Sequence, residues 1–361
     1  MNLNYKLVSF LGSPFVKEDT PSEISFSDEE KLELYKIAYN NKVGLFFLQR
    51  LKDIGQLSPL EDKYALDMER YNETLITAMN LSSAISEYTR DFAIFKFFKP
   101  FPNTPSDVDA LFFLSKKDYF KTVDYLLNNE YCKIGECPSQ VVVYDLRGGY
   151  EQMDKRTVDG KKGGKYYIDL YNEVSASHVI YVDNETLIGH KIKVDCQGGA
   201  IQTLDPIADL VVVLTHSIIP EQLLTFADCY TTLYYIQKMD EKELNKLAQI
   251  FIENDLTKAG IASLSVIGMI HEKVYGFVPD KIGYLMEGIG WNPKMKGEII
   301  SNDLALPYRY SVSTLFKVLA ERMKNKKGLK SILTQGVCML DPRLMKWVIY
   351  NIIRRRRRET Y

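Results

Sequence analysis

The sequence predicts an α+β protein in which a mixed β-sheet core lies between two helical regions. Two observations carry this. Residues 27–90 and the stretch from 205 onward place apolar side chains at helical spacing, whereas 91–204 holds short aromatic and β-branched runs separated by Pro- and Gly-rich segments. The chain has 361 residues, of which 46% are hydrophobic and 26% charged, enough to bury a large core without disulfide or metal staples. The expected division is a helical region over 1–90, the α/β core over 91–204, and a helical region with a basic tail over 205–361.

The elements follow in order. Ser27 and Glu30 form a capping-box pair, and Leu32, Leu34, Tyr35, Ile37 and Ala38 supply an apolar stripe behind it. A second helix is expected from about Pro59 to Tyr88. FAIFKFF then reads as a buried strand, and KPFPNTPS, with three prolines, as a loop. VDALFFL (108–114) is a second strand. Residues 116–129 form an amphipathic helix with Tyr119, Phe120, Val123, Leu126 and Leu127 inward. QVVVYDL (140–146) and KYYIDLY (165–171) are further strands, joined by a polar, glycine-rich connection, and shorter strands lie within 178–203. After Asp205 and Pro206 the chain is helical again, with helices at 241–255, 257–274, 313–325 and 342–356, the last capped by Asp341.

Charge and composition exclude several classes. Lys plus Arg (46) nearly cancels Asp plus Glu (47), so the chain is neither a basic nucleic-acid coat nor an acidic disordered segment. The balance is uneven: Arg354 to Arg358 is an unbroken arginine run, and the remainder is mildly acidic. That run reads equally as a handle for phosphate backbones or anionic lipid and as a solvated terminus. Five cysteines (Cys132, Cys137, Cys196, Cys229, Cys338) and four histidines lack zinc-ligand spacing and read as free thiols and isolated rings. The N-terminal apolar run is too short for a signal peptide, and no stretch approaches the ~20 apolar residues of a membrane span. A cytoplasmic protein is expected.

The chemistry concentrates where the Pro-rich loop becomes a strand. In Ser106-Asp107-Val108-Asp109, strand alternation puts the two aspartates on one face, and adjacent like charges require water or a cation. Hard divalent cations prefer carboxylate oxygens and leave positions for phosphate. Asp169, between Ile168 and Leu170, is a third carboxylate on an otherwise half-buried strand. Three such groups can hold two metals ~3.5–4 Å apart, the clamp for in-line displacement at phosphorus. Removal of Asp107 or Asp109 is expected to relieve repulsion and leave the fold intact.

IFKFFKPFPNTPSDVDALFF, YIDLY and LDPIADLVVVLTHSIIPEQLLTFADCYTTL together resemble the nucleotidyltransferase superfamily related to DNA polymerase β, over about residues 30–238. The resemblance implies a nucleotidyltransferase-like core that uses two Mg²⁺ ions to move a nucleoside monophosphate from an NTP to an acceptor hydroxyl on RNA (tRNA included), protein or a small molecule. It implies Asp107, Asp109 and Asp169 as catalytic metal ligands, Asp169 also orienting or deprotonating the nucleophile, and Lys96 near the phosphates. The superfamily places Gly-Gly or Gly-Ser at the turn before the aspartates. This chain has Phe97, Phe98, Lys99 and Pro100, so Lys96, Lys99 and Ser106 would have to replace the backbone cradle. The alternative is a catalytically inactive module of the same fold that binds nucleotide or RNA.

Three other features carry weaker readings. Lys96, taken as alternating with Ile94 and Phe98, is either a phosphate ligand or a lysine snorkelling at a sheet edge. The loop at 155–165 holds five cations against Asp159 and reads as a phosphate-approaching or simply solvated hairpin tip. His216 is expected as a hydrogen-bonded core histidine, and Asp228 as an acid paired in the core or at the cleft.

Overall fold

The structure, a computed structural model, describes residues 3–17, 25–146, 167–196, 198–292, 306–343, 345–346 and 349–350. The loop at 155–165 and Arg354 to Arg358 lie outside the described residues, as does most of the helix expected over 342–356. The Asp341 carboxylate does cap there, accepting from Arg343 N at 2.8 Å.

Helix α1 (Leu3–Leu11) precedes α2 (Asp28–Asn40), which opens with the expected box: Ser27 Oγ accepts from Glu30 N, and the Glu30 carboxylate from Ser27 N. The first helical stretch is two helices rather than one. Lys42 turns left-handed (φ 57°), and α3 (Gly44–Asp53) starts beyond it. Helix α4 (Glu61–Tyr88) runs as expected and lays Ala78, Leu81, Ser82 and Ile85 on the sheet.

The core comprises β1 (Phe92–Phe95), β2 (Asp107–Phe112), α5 (Lys116–Asn128), β3 (Tyr131–Cys137), β4 (Gln140–Asp145), β5 (Tyr167–Tyr171), the ribbon β6 (Val174–Ala176) with β7 (Val179–Val182), the turn α6 (Asn184–Leu187), β8 (Lys191–Cys196) and β9 (Gly199–Leu204). Among the described residues, seven strands form one sheet in the order β3-β4-β5-β2-β1-β9-β8. The β2–β5 and β1–β9 pairs are parallel and the others antiparallel. Strand β3 was not anticipated: YCKIGEC is a mostly exposed edge strand with no apolar alternation to reveal it. On α5, Phe120 is 37% exposed and Thr122 takes the inward place instead.

Alternation divides the sheet. Phe92, Ile94, Val108, Ala110, Phe112, Ile168 and Leu170 pack beneath α4 and α5. Ala93, Phe95, Leu111 and Tyr171 face the other way, into the larger core built by the helices. Each fully buried apolar side chain is worth about 1.5–3 kcal/mol, which fixes the register. A one-residue slip of β2 or β5 would exchange this apolar set for aspartates.

The helices over the second face are α7 (Pro206–Ile218), α8 (Phe226–Lys238), α9 (Glu241–Glu253), α10 (Thr257–Tyr275), α11 (Asp280–Gly288), α12 (Val312–Arg322) and α13 (Lys326–Cys338). A short β10 (Leu223–Leu224) pairs with β11 (Tyr308–Arg309). Asp205 caps α7 and Pro206 occupies its first turn, as their order in the sequence implies. Helices α11 and α13 were not anticipated. Fully buried Arg322 pairs with Asp183 and donates to the carbonyls of Ile180 and Asn254, tying α12 to the core. No helix among the described residues is long and apolar enough to cross a membrane. All five cysteines are free.

Candidate metal centre in the sheet–helix cleft

Strand β2 supplies Asp107 and Asp109, and parallel β5 supplies Asp169 directly opposite Asp109 in register. All three occupy the face turned toward the helices, and one oxygen from each lies within 4.8 Å of the others. The sequence expectation that these residues converge is met. They open into a cleft of about 540 Å³. Its sheet side also includes Phe95, Lys96 and Tyr171; the opposite side comes from α2–α4 (Lys42, Gly44, Arg70) and from α7 and the segment after it (Val213, His216, Glu221).

Lys96 departs from its expected place. Strand β1 ends at Phe95, and Lys96 is left-handed (φ 58°), so it does not alternate with Ile94 and Phe98 along a strand. Non-glycine residues adopt this conformation only under local constraint. The constraint is Asp209, on the first turn of α7, whose Oδ1 accepts the Lys96 backbone N–H at 2.6 Å. The turn aims the side chain back across the sheet, where Nζ meets Asp109 Oδ2 at 2.7 Å, beside the rings of Phe95 and Tyr171. The pair is largely buried, with side-chain exposures of 15% and 7%. Asp109 is therefore half of a buried ion pair, and the expectation that its removal merely relieves repulsion is corrected. The other oxygen, Oδ1, is buried without a hydrogen-bond partner.

The electrostatics follow from this packing. Burial pushes the Asp109 carboxyl up to about 7, against the pull of Lys96 and with a further push from Asp107 and Asp169. Burial, then the charge of Asp107, raises Asp169 to about 6, while a Gln140 hydrogen bond and Lys96 act the other way. Burial alone would lower Lys96, but Asp109, Tyr181 and Asp107 together outweigh it and hold the ammonium above the usual lysine range. Three hard oxygen donors with one orphaned, buried oxygen are a donor set that suits a hard divalent cation.

The remaining expected residues are also placed. Ser106 is exposed and donates to Asp107 Oδ1 at 3.0 Å. Lys99 is half-buried in the cleft; burial lowers it, partly offset by Asp209 and Asp228. His216 lines the cleft rather than sitting in the core, with Nδ1 2.9 Å from the Tyr181 hydroxyl. Asp228 is buried and closes a capping box with Thr225 at the start of α8. Sequence reasoning missed Asp209, Tyr181, Glu221, Lys42 and Arg70. Of these only Asp209 left a signal, as an acid inside the apolar run that becomes α7. Compared with known proteins, the chain matches no family model, no curated protein and no solved structure.

Proposed function

We propose that this chain is a metal-dependent nucleotidyltransferase that moves a nucleoside monophosphate from an NTP to an acceptor hydroxyl and releases pyrophosphate. The observation that supports it most is the register of Asp109 opposite Asp169, with Asp107 two residues away, all lining one cleft and leaving one buried carboxylate oxygen unpartnered.

Asp107, Asp109 and Asp169 would hold two Mg²⁺ ions, which when bound neutralise charge on the transferred and leaving phosphates. Lys96 and Lys99 are cations within reach of a triphosphate in the cleft, and Ser106 offers a hydroxyl at its rim. The acceptor oxygen bonds to the α-phosphorus as the bond from that phosphorus to the bridging β-oxygen breaks. Asp169, on the strand beside Asp109, would orient the attacking hydroxyl and take its proton.

A second reading has its own support. The Lys96 N–H, immediately before the residues that stand in place of the superfamily's glycines, is already taken by Asp209 and cannot cradle a phosphate. A module that binds nucleotide or RNA without catalysis is consistent with that. The deciding experiment incubates the protein with Mg²⁺, each α-labelled NTP and total cellular RNA or protein. Label retained on a macromolecule by the wild type and lost in Asp169→Asn is the expected result. Stabilisation by Mg²⁺ and NTP without any label transfer would select the non-catalytic reading, and neither effect would reject both.

A further inference from the structure

We infer that Lys96 is a built-in counter-ion that couples metal binding to nucleotide binding, holding Asp109 in the metal-free protein and passing to the phosphates when metal and nucleotide enter together. The inference rests on the reading of the cleft as a metal–nucleotide site.

Three observations and one electrostatic argument carry it. Lys96 Nζ sits on Asp109 Oδ2, while Oδ1 of the same carboxylate is unpartnered, and Asp109 is one of the three clustered aspartates. A divalent cation held at that cluster would share the Asp109 carboxylate with a buried ammonium, an arrangement of like charges in a poorly screened place. The backbone of Lys96 is fixed, with its N–H bonded to Asp209 and its φ left-handed, so adjustment falls to the four-carbon side chain. That side chain lines the cleft and contacts ring faces of Phe95 and Tyr171, which do not bind the ammonium by directional hydrogen bonds.

The consequence is a linkage. Metal alone must compete with Lys96 for Asp109. A triphosphate offers the ammonium a new anionic partner and removes that competition, so each ligand strengthens the other. The same lysine that neutralises the empty site thereby becomes a phosphate ligand in the filled one.

The test is titration of Mn²⁺, at about pH 8 to keep the carboxylates ionised, without and with a non-hydrolysable NTP analogue. Wild-type protein should bind Mn²⁺ roughly tenfold more tightly with the analogue present. Lys96→Met, which keeps the length and loses the charge, should bind Mn²⁺ alone about fivefold more tightly than wild type and show coupling at least threefold smaller. Lys96→Arg should behave as wild type. Lys96→Gln, which can still donate to Asp109, serves if the Met variant does not fold. Neutral variants that bind Mn²⁺ alone no more tightly than wild type overturn the inference but leave the proposed function standing. A wild-type protein that binds no Mn²⁺ under either condition overturns both.

Discussion

Asp107 and Asp109 look equivalent in the sequence and differ in energy. Asp109 neutralises a buried ammonium, so Asp109→Asn strands the Lys96 charge and should cost about 3–5 kcal/mol in urea denaturation. Asp107→Asn removes a charge that raises both neighbours, so stability should hold or rise within about 1 kcal/mol. Both substitutions should abolish Mg²⁺-dependent label transfer. Asp109 and Asp169 also set a pH dependence. Their folded values, about 7 and about 6, lie above the ordinary aspartate value of 3.8, so between roughly pH 4 and 7 the folded chain binds more protons than the unfolded one. Their contribution to stability therefore falls as pH rises through that window. Without divalent metal, Tm should drop by roughly 2–5 °C from pH 5 to pH 8, and saturating Mg²⁺ should flatten the drop by stabilising the ionised carboxylates. A Tm that rises over this range in the metal-free protein would mean that the carboxylates are ionised with little cost.

At the scale of elements, what was legible in the sequence was what strand and helix periodicity encode. The lone Asp169 between Ile168 and Leu170, and the Asp107–Asp109 pair, show their common face because alternation has a period of two. Ser27 and Asp205 announce helix starts because a capping side chain must stand beside the helix it caps. The end of β1 was not legible. FAIFKFF continues the apolar pattern, and the turn at Lys96 is imposed by Asp209, 113 residues away in the chain. Arg322 is another contact of this kind, since nothing local marks it as the partner of Asp183. It makes a separate test of the frame: Arg322→Met should cost about 3–5 kcal/mol by leaving buried Asp183 without its cation, with the Asn325 amide as a remaining donor to its carboxylate. Mn²⁺ affinity of the folded variant should stay unchanged, because the clamp does not contribute to the cleft.

At the scale of the molecule, the site is a cleft with two walls of different origin. The three carboxylates of the sheet wall could be brought together from the sequence because they lie on strands that show their face by alternation, whereas the turn that carries Lys96 could not. The helical wall could not. Lys42, Arg70, His216 and Glu221 sit in ordinary helical or loop contexts and meet only when both helical regions pack over the same sheet face. The proposed transfer requires the three aspartates on this face to hold the divalent cations around which it occurs. The most direct measurement is the anomalous scattering of Mn²⁺ in crystals grown with a non-hydrolysable NTP analogue. Two Mn²⁺ peaks about 3.5–4 Å apart, coordinated by Asp107, Asp109 and Asp169, are expected, with the triphosphate running into the cleft. Crystals that hold the analogue elsewhere, or that show no Mn²⁺ on these carboxylates at saturating concentration, would contradict the proposal.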